Sequence, residues 1–148
     1  MSGNETGKRY LEADVLTASP LRLVVIVCDF GIDCLNKAAG AAESPDGEGK
    51  LEEFTRLTGK ARDALLELMG ALAPERSPQM AGNLLALYGY FFRRITEARA
   101  KVEAAPLKEV AKLWSSLRDA WADVLKSGEE GKAHAEAGEA GRFVSVTG

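Results

Sequence analysis

Few side chains in this sequence can do chemistry, and their spacing decides what kind. Asp29 and Asp33 stand four residues apart. On a helix they share a face, as paired carboxylates must for general acid–base work. Cys28 and Cys34 stand six apart. At a rise of 1.5 Å per residue their Cα atoms are about 9 Å apart on a helix. A disulfide tolerates roughly 7 Å, so the pair reads as two small buried hydrophobes. The single histidine, His134, lies in a Gly-, Ala- and Glu-rich stretch near the end of the chain. A di-metal site in a helical bundle needs Glu-x-x-His pairs on facing helices, and Ser-His or Cys-His catalysis needs a histidine set beside the nucleophile. The sequence supplies neither, and it has no Gly-rich phosphate loop and no zinc-type spacing. Asp29 and Asp33 therefore read as surface charge. No cofactor, metal or catalytic residue is expected, and the protein is not expected to be an enzyme.

The formal net charge of −3 shows no basic excess, which argues against nucleic acid or an anionic membrane as the partner. No run approaches the roughly 18 apolar residues that insert across a bilayer, and Met1–Arg9 lacks the apolar segment of a signal peptide. A cytosolic location is expected. With 46% hydrophobic side chains in 148 residues, the chain can build one domain around a real core.

What the sequence carries in excess is apolar surface. The stretch from Thr17 to Leu35 opens with Ser19-Pro20, a helix start signal. Turning about 100° per residue, Arg22, Asp29, Asp33, Asn36 and Lys37 fill one arc. The apolar residues, Val25, Cys28, Ile32 and Leu35 among them, spread over roughly 220°, where a single core stripe needs about 100°. Such a helix has two surfaces to cover.

The elements that position these residues follow in order. The first helix is expected from Pro20 to Ala42, ending in the turn Ser44-Pro45-Asp46-Gly47. A second, from Lys50 to Leu72, has Leu51, Phe54, Leu57, Thr58, Ala61, Leu65, Leu68, Met69 and Leu72 on one stripe. Ser77-Pro78 starts a third, reaching Val102, with Met80, Leu84, Tyr88, Phe91, Ile95, Ala98 and Val102 inward and Leu85 and Phe92 beside them. Leu87 and Tyr90 fall off that stripe, on the side of Arg94. A fourth runs from Leu107 to Leu125, with Leu107, Val110, Trp114, Leu117, Trp121 and Val124 inward. Residues 127–148 are too polar and glycine-rich to offset their ordering entropy, so a disordered tail is expected. Residues 1–16 carry isolated Tyr10, Val15 and Leu16, which suit a flexible segment lying over a groove. The fold class is all-α, an antiparallel up-down-up-down four-helix bundle over 17–126. Val25, Ile32 and Leu35, with Leu87 and Tyr90, suggest a surface for an amphipathic partner helix; the alternative is a homodimer that hides the first helix's apolar face.

Three ordered segments resemble the flagellin-specific export chaperones of the FliS family. The first is Tyr10, then Val15-x-Thr17-Ala18-Ser19-Pro20, Leu23, Cys28-Asp29-Phe30-Gly31-Ile32 and Leu35. The second is Asn83-Leu84-x-x-Leu87-Tyr88-x-Tyr90-x-x-Arg93-Arg94-Ile95-x-x-Ala98, and the third is Leu117-Arg118-Asp119-Ala120-Trp121. The sequence departs from the family pattern at Cys28 (usually tyrosine), Phe30-Gly31 (usually Gly-Ala), Gly89 (usually aspartate) and Arg99 (usually asparagine). Arg22 stands where a glutamate would complete a capping box. The resemblance implies a bacterial cytosolic chaperone without ATPase activity. It would hold the disordered C-terminal segment of flagellin, prevent premature polymerisation and aid delivery to the flagellar type III export gate. It also implies a partner-binding surface drawing on Tyr10, Val15, Leu16, Val25, Ile32, Leu35, Leu87, Tyr90 and Arg94. The N-terminal segment would cover a groove in the free protein, with its tyrosine region touching the gate.

Overall fold

A computed structural model describes residues 21–44 and 46–141, of which 129–141 are described by backbone alone. Ser19-Pro20 and the segment carrying Tyr10, Val15 and Leu16 lie outside the described residues. Four helices follow one another: α1 (Leu21–Glu43), α2 (Lys50–Gly70), α3 (Pro78–Lys101) and α4 (Ala105–Gly141). Each packs on its sequence neighbours, and α4 closes the ring against α1. The ends confirm the antiparallel sense, because Glu43 at the end of α1 pairs with Lys108 at the start of α4, while Asp29 meets Arg118 further along. This is the up-down-up-down bundle expected from the sequence.

The chain breaks where its punctuation requires. Gly49, at φ 75°, turns the backbone into α2 through the left-handed region that only glycine enters without cost. Pro78 occupies the first turn of α3, where a missing N–H removes nothing. Ser77 makes no side-chain cap there; its carbonyl accepts from Ala81 N at 2.9 Å. At the far end Glu103 N donates to Ala98 O, and Val102 takes the left-handed conformation. Leu72 and Ala73 stay buried although α2 has ended at Gly70, so the connection lids the core.

Two expectations need correction. α4 does not stop at Leu125: its backbone stays helical to Gly141, through the first part of the stretch read as a tail. The apolar stripe does end near Leu125, but alanine, glutamate and lysine are good helix formers. The second correction concerns α1. Val25 is 8% exposed and Leu35 0%, so both belong to the core, and Ile32 is half-buried against it. Helix α1 is flanked by both α2 and α4, so its wide apolar arc is consumed by two neighbours. Its bare residues are instead Leu23, Ile26 and Phe30, at 48%, 52% and 48% exposure.

The core centres on Trp114, the largest of the fully buried side chains, with Tyr88, Phe54, Phe91, Leu35, Leu65 and Ile95 around it. Phe91 and Trp114 lie with ring centroids 6.0 Å apart. Trp114 presses on α1 at Gly31, where an added Cβ would sit 2.1 Å from the indole Cη2. Cys28 and Cys34 are free and buried. Burial pushes the Cys28 thiol up to about 11, so it is packing and not a reactive group.

Gly31→Ala tests this contact. Alanine gains about 1 kcal/mol over glycine in a helix, but overpacking a rigid aromatic core costs about 1–3 kcal/mol. Because a whole indole must move, the expected outcome is a lower urea midpoint at unchanged m-value. An equal or higher midpoint would show that the Trp114 ring is not fixed by this contact.

Candidate functional site

Helix α3 is tied to its neighbours by polar contacts at its rims, and apolar side chains lie bare beside each tie. On the α4 side, Tyr90 Oη donates to Glu109 Oε2 at 2.5 Å, and Arg94 Nε donates to Glu109 Oε1 at 2.9 Å. Arg94 Nη1 also donates to Glu97 Oε1 at 2.7 Å. Leu87 lies one turn before Tyr90 and Leu113 one turn after Glu109, each on the face its predecessor marks. In an antiparallel pair those two steps run the same way, so Leu87 and Leu113 flank one stretch of furrow. Leu87 is half-buried and Leu113 exposed, with Leu117 half-buried a turn beyond.

The α2 side repeats the arrangement with other residues. The Arg62 guanidinium lies 5.3 Å from the Phe92 ring centroid, and its Nη1 donates to Thr96 Oγ1 at 3.1 Å. Further along, Arg99 Nη1 donates to Thr58 Oγ1 at 2.7 Å and to Thr55 O at 2.8 Å. The buried Thr58 hydroxyl in turn donates to Phe54 O, so Arg99 satisfies a polar group that α2 brings inside. One turn past Arg62 stands Leu66, and two turns before Phe92 stands Leu85, both half exposed. By the same antiparallel argument these residues line a second furrow. Helix α3 thus runs between two furrows with bare apolar walls.

The charges hold the first furrow's edge. The Tyr90 hydrogen bond, then the Arg94 contact, keeps the Glu109 carboxyl below the usual carboxylate range. The same bond raises the Tyr90 phenol. Of the residues expected to form a partner site, the structure brings Leu87, Tyr90 and Arg94 together. It does not bring Val25, Ile32 or Leu35 to them, since these face the core from α1. Tyr10, Val15 and Leu16 are outside the described residues. Sequence reading missed Glu109, Leu113 and Leu66, and it placed Leu85 inward. The signal for Leu113 was available, because it falls off the Leu107–Val110–Trp114 stripe as Leu87 falls off its own.

Among the described residues no group of three histidine, cysteine or acidic side chains could hold a metal ion, and no helix is long and apolar enough to cross a membrane. The arrangement offers no reacting group; what it offers is apolar contact with polar edges.

Similarity to known proteins extends over most of the chain. The profile of a family described as flagellar protein FliS matches residues 2–128. The chain is 34% identical over 111 residues to the flagellar secretion chaperone FliSB of Pseudomonas aeruginosa, covering 75% of this chain and 85% of that one. It is 30% identical over 118 residues to the flagellar secretion chaperone FliS of Bacillus subtilis, covering 80% and 84% respectively. To the Escherichia coli flagellar secretion chaperone FliS it is 26% identical over 117 residues, covering 79% and 84%.

Acid titration tests the rim contact. A carboxyl whose folded pKa lies below its unfolded value stabilises the fold above the unfolded pKa, and that contribution is lost as pH falls through the folded one. Glu109→Gln should therefore be less stable than wild type at neutral pH, with the difference shrinking as the solution is acidified below the ordinary carboxylate range. Urea midpoints at a series of pH values measure it; a difference independent of pH would remove Glu109's charge from the account.

Proposed function

The chain belongs to the FliS family of flagellar proteins, and from that membership we propose that it binds the disordered C-terminal segment of flagellin in the two furrows beside α3. The family's curated relatives are flagellar secretion chaperones, not an enzyme class, and a chaperone of this kind has a flagellar export substrate for a partner. In the proposed reading the chain works in the cytosol. It keeps flagellin from polymerising early and hands it to the flagellar type III export gate. Residues 1–16, with Tyr10, Val15 and Leu16, cover a furrow until the client arrives, and the Tyr10 region contributes to the gate contact.

The observation that carries this reading is the placement of exposed apolar side chains on both sides of one helix. Leu66 and Leu85 are exposed on one side beside half-buried Phe92, and Leu113 is exposed on the other beside half-buried Leu87 and Tyr90. Paired furrows suit an extended or helical segment wound around α3, whose apolar side chains enter at spacings set by its own helical turns. Burying about 1,500 Å² of apolar client surface at roughly 25 cal/mol/Å² gives a gross gain of tens of kcal/mol. Ordering a disordered partner and losing association entropy cancel most of it. A dissociation constant between about micromolar and nanomolar follows, tight enough to hold and weak enough to release.

Calorimetry with a purified flagellin C-terminal segment tests the assignment. A 1:1 complex is expected. Leu113→Glu and Leu66→Glu, each at an exposed position, should weaken it about tenfold or more, since each sets a charge against an apolar wall, while circular dichroism stays unchanged. Absence of binding at about tens of micromolar segment, well above the expected range, overturns the assignment. Binding untouched by either variant moves the client off these furrows.

A further inference from the structure

The furrow between α2 and α3 is apolar at one end and cationic at the other. Leu66 and Leu85 stand at the apolar end, exposed, with half-buried Phe92 beyond them. Arg62 lies over Phe92, and Arg99 follows on α3 seven residues, or about 10 Å, further along the same face. Each guanidinium donates within the protein through Nη1, Arg62 to Thr96 Oγ1 and Arg99 to Thr58 Oγ1 and Thr55 O. These acceptors are all neutral. Among the described residues the ion pairs take up Lys37, Lys50, Arg94, Lys108 and Arg118, and neither Arg62 nor Arg99 enters one. The residues one turn from Arg62 are Thr58, Gly59, Leu65 and Leu66, none of them acidic. The chain has 22 acidic against 19 basic side chains, so the missing counter-charge is a matter of placement. Burial, and then the charge of Arg62, lowers the pKa of the Arg99 guanidinium. Two cations held this way on neutral acceptors repel one another, and an incoming carboxylate would relieve both.

Given that the furrows hold the client segment, a reading on which this one rests, we propose that Arg62 and Arg99 clasp a carboxylate. The occupant is an Asp or Glu side chain of the bound flagellin segment, and the clasp fixes that segment's direction in the furrow. Nε and Nη2 of a guanidinium form the planar fork that accepts a carboxylate bidentately. Leu66 lies one turn from Arg62 and Leu85 two turns from Phe92. A helical client would therefore set its acid at the arginines and apolar side chains one and two turns away. Reversed, the same client would lay an apolar side chain on the guanidiniums and strand its acid against Leu66 and Leu85. Apolar walls alone cannot make that distinction. The other furrow offers no such site, because Arg94 is already paired with Glu97 and Glu109. Arg99 stands where the family pattern usually carries asparagine, so the second cation is a departure for this chain's own client to match.

Calorimetry of the full chain with the flagellin C-terminal segment, at low and high salt, tests the clasp. Arg62→Gln and Arg99→Asn should each weaken binding about fivefold at low salt, with unchanged circular dichroism. The loss should shrink below about twofold at about 1 M salt, where the screening length falls to about 3 Å. Lys37→Gln removes the same charge from α1, across the bundle, and should leave binding unchanged. Arg62→Gln carries the test if losing the Arg99 contact to Thr58 disturbs the fold. Replacing the segment's acids by their amides, one at a time, should find one position that weakens wild-type binding to a similar degree. That replacement should add nothing in the chain lacking both arginines, as a direct contact requires. If the wild-type chain does not bind the segment, the furrow reading falls and the clasp with it. Wild-type binding that both arginine variants match overturns the clasp alone. So does a loss equal at both salts, a loss shared by Lys37→Gln, or a segment in which no acid couples to the arginines. An α-amidated segment should bind as the free acid does; if amidation removes the arginine dependence, the terminal carboxylate is the occupant and the side-chain assignment is overturned.

Discussion

Everything in this bundle is arranged around the seat of one indole. Trp114 is fully buried, stands against a point on α1 with no room for a Cβ, and lies beside Phe91 of α3. A side chain that large cannot be enclosed by two helices. It draws α1, α3 and α4 to a shared centre, and α2 completes the wall with Phe54, Leu57, Ala61 and Leu65. Close packing of this kind leaves few alternative positions for the helix axes, so the contacts at the rims are consequences of the centre. Arg118 reaches Asp29 and Lys108 reaches Glu43 because α4 is already held against α1. Size governs the choice here more than polarity: the Nε1 atoms of Trp114 and Trp121 are buried without an ideally placed acceptor, with the Cys28 thiol beside the first and the Tyr88 hydroxyl beside the second.

The same centre explains why the furrows lie beside α3. Helix α3 sends Leu84, Tyr88, Phe91 and Ile95 inward on a narrow stripe, all of them buried. Its flanks are left to longer side chains that reach sideways: Tyr90 and Arg94 to Glu109, Arg62 across Phe92 to Thr96, Arg99 to Thr58. These ties fix the furrow edges without filling the furrows, so Leu66, Leu85 and Leu113 stay exposed beside the half-buried Leu87. A groove closed by apolar packing would give no client a place. One left without ties would lose its shape. Exposed ion pairs of this sort add little stability, which suits a role in fixing spacing.

How much of this the sequence disclosed depends on which physical quantity each feature needs. The helix ends were legible because they are local: Asp46-Gly47 and Ser77-Pro78 act on their own neighbours, and in the structure α2 begins just past the first and α3 within the second. The width of the apolar arc on α1 was legible too, since periodicity measures angle. Its direction was not. Val25 and Leu35 belong to a wide arc whether it faces two neighbouring helices or one neighbour and solvent, and only the ring of contacts decides. Glu109 was hidden for a related reason. Nothing in the order of α4 says which face meets Tyr90, because that depends on the stagger of two helices joined by a short connection. The end of α4 was not legible from burial, because its last turns are rich in alanine, glutamate and lysine, whose intrinsic propensity favours helix.

Helices α1 and α3 each pack on α2 and α4, so they sit diagonally across the bundle. The outward side of α1 therefore points away from the furrows beside α3. Trp114, seated between α1 and α3, is the element through which any shift of one against the other would have to pass, and a core packed this closely resists it.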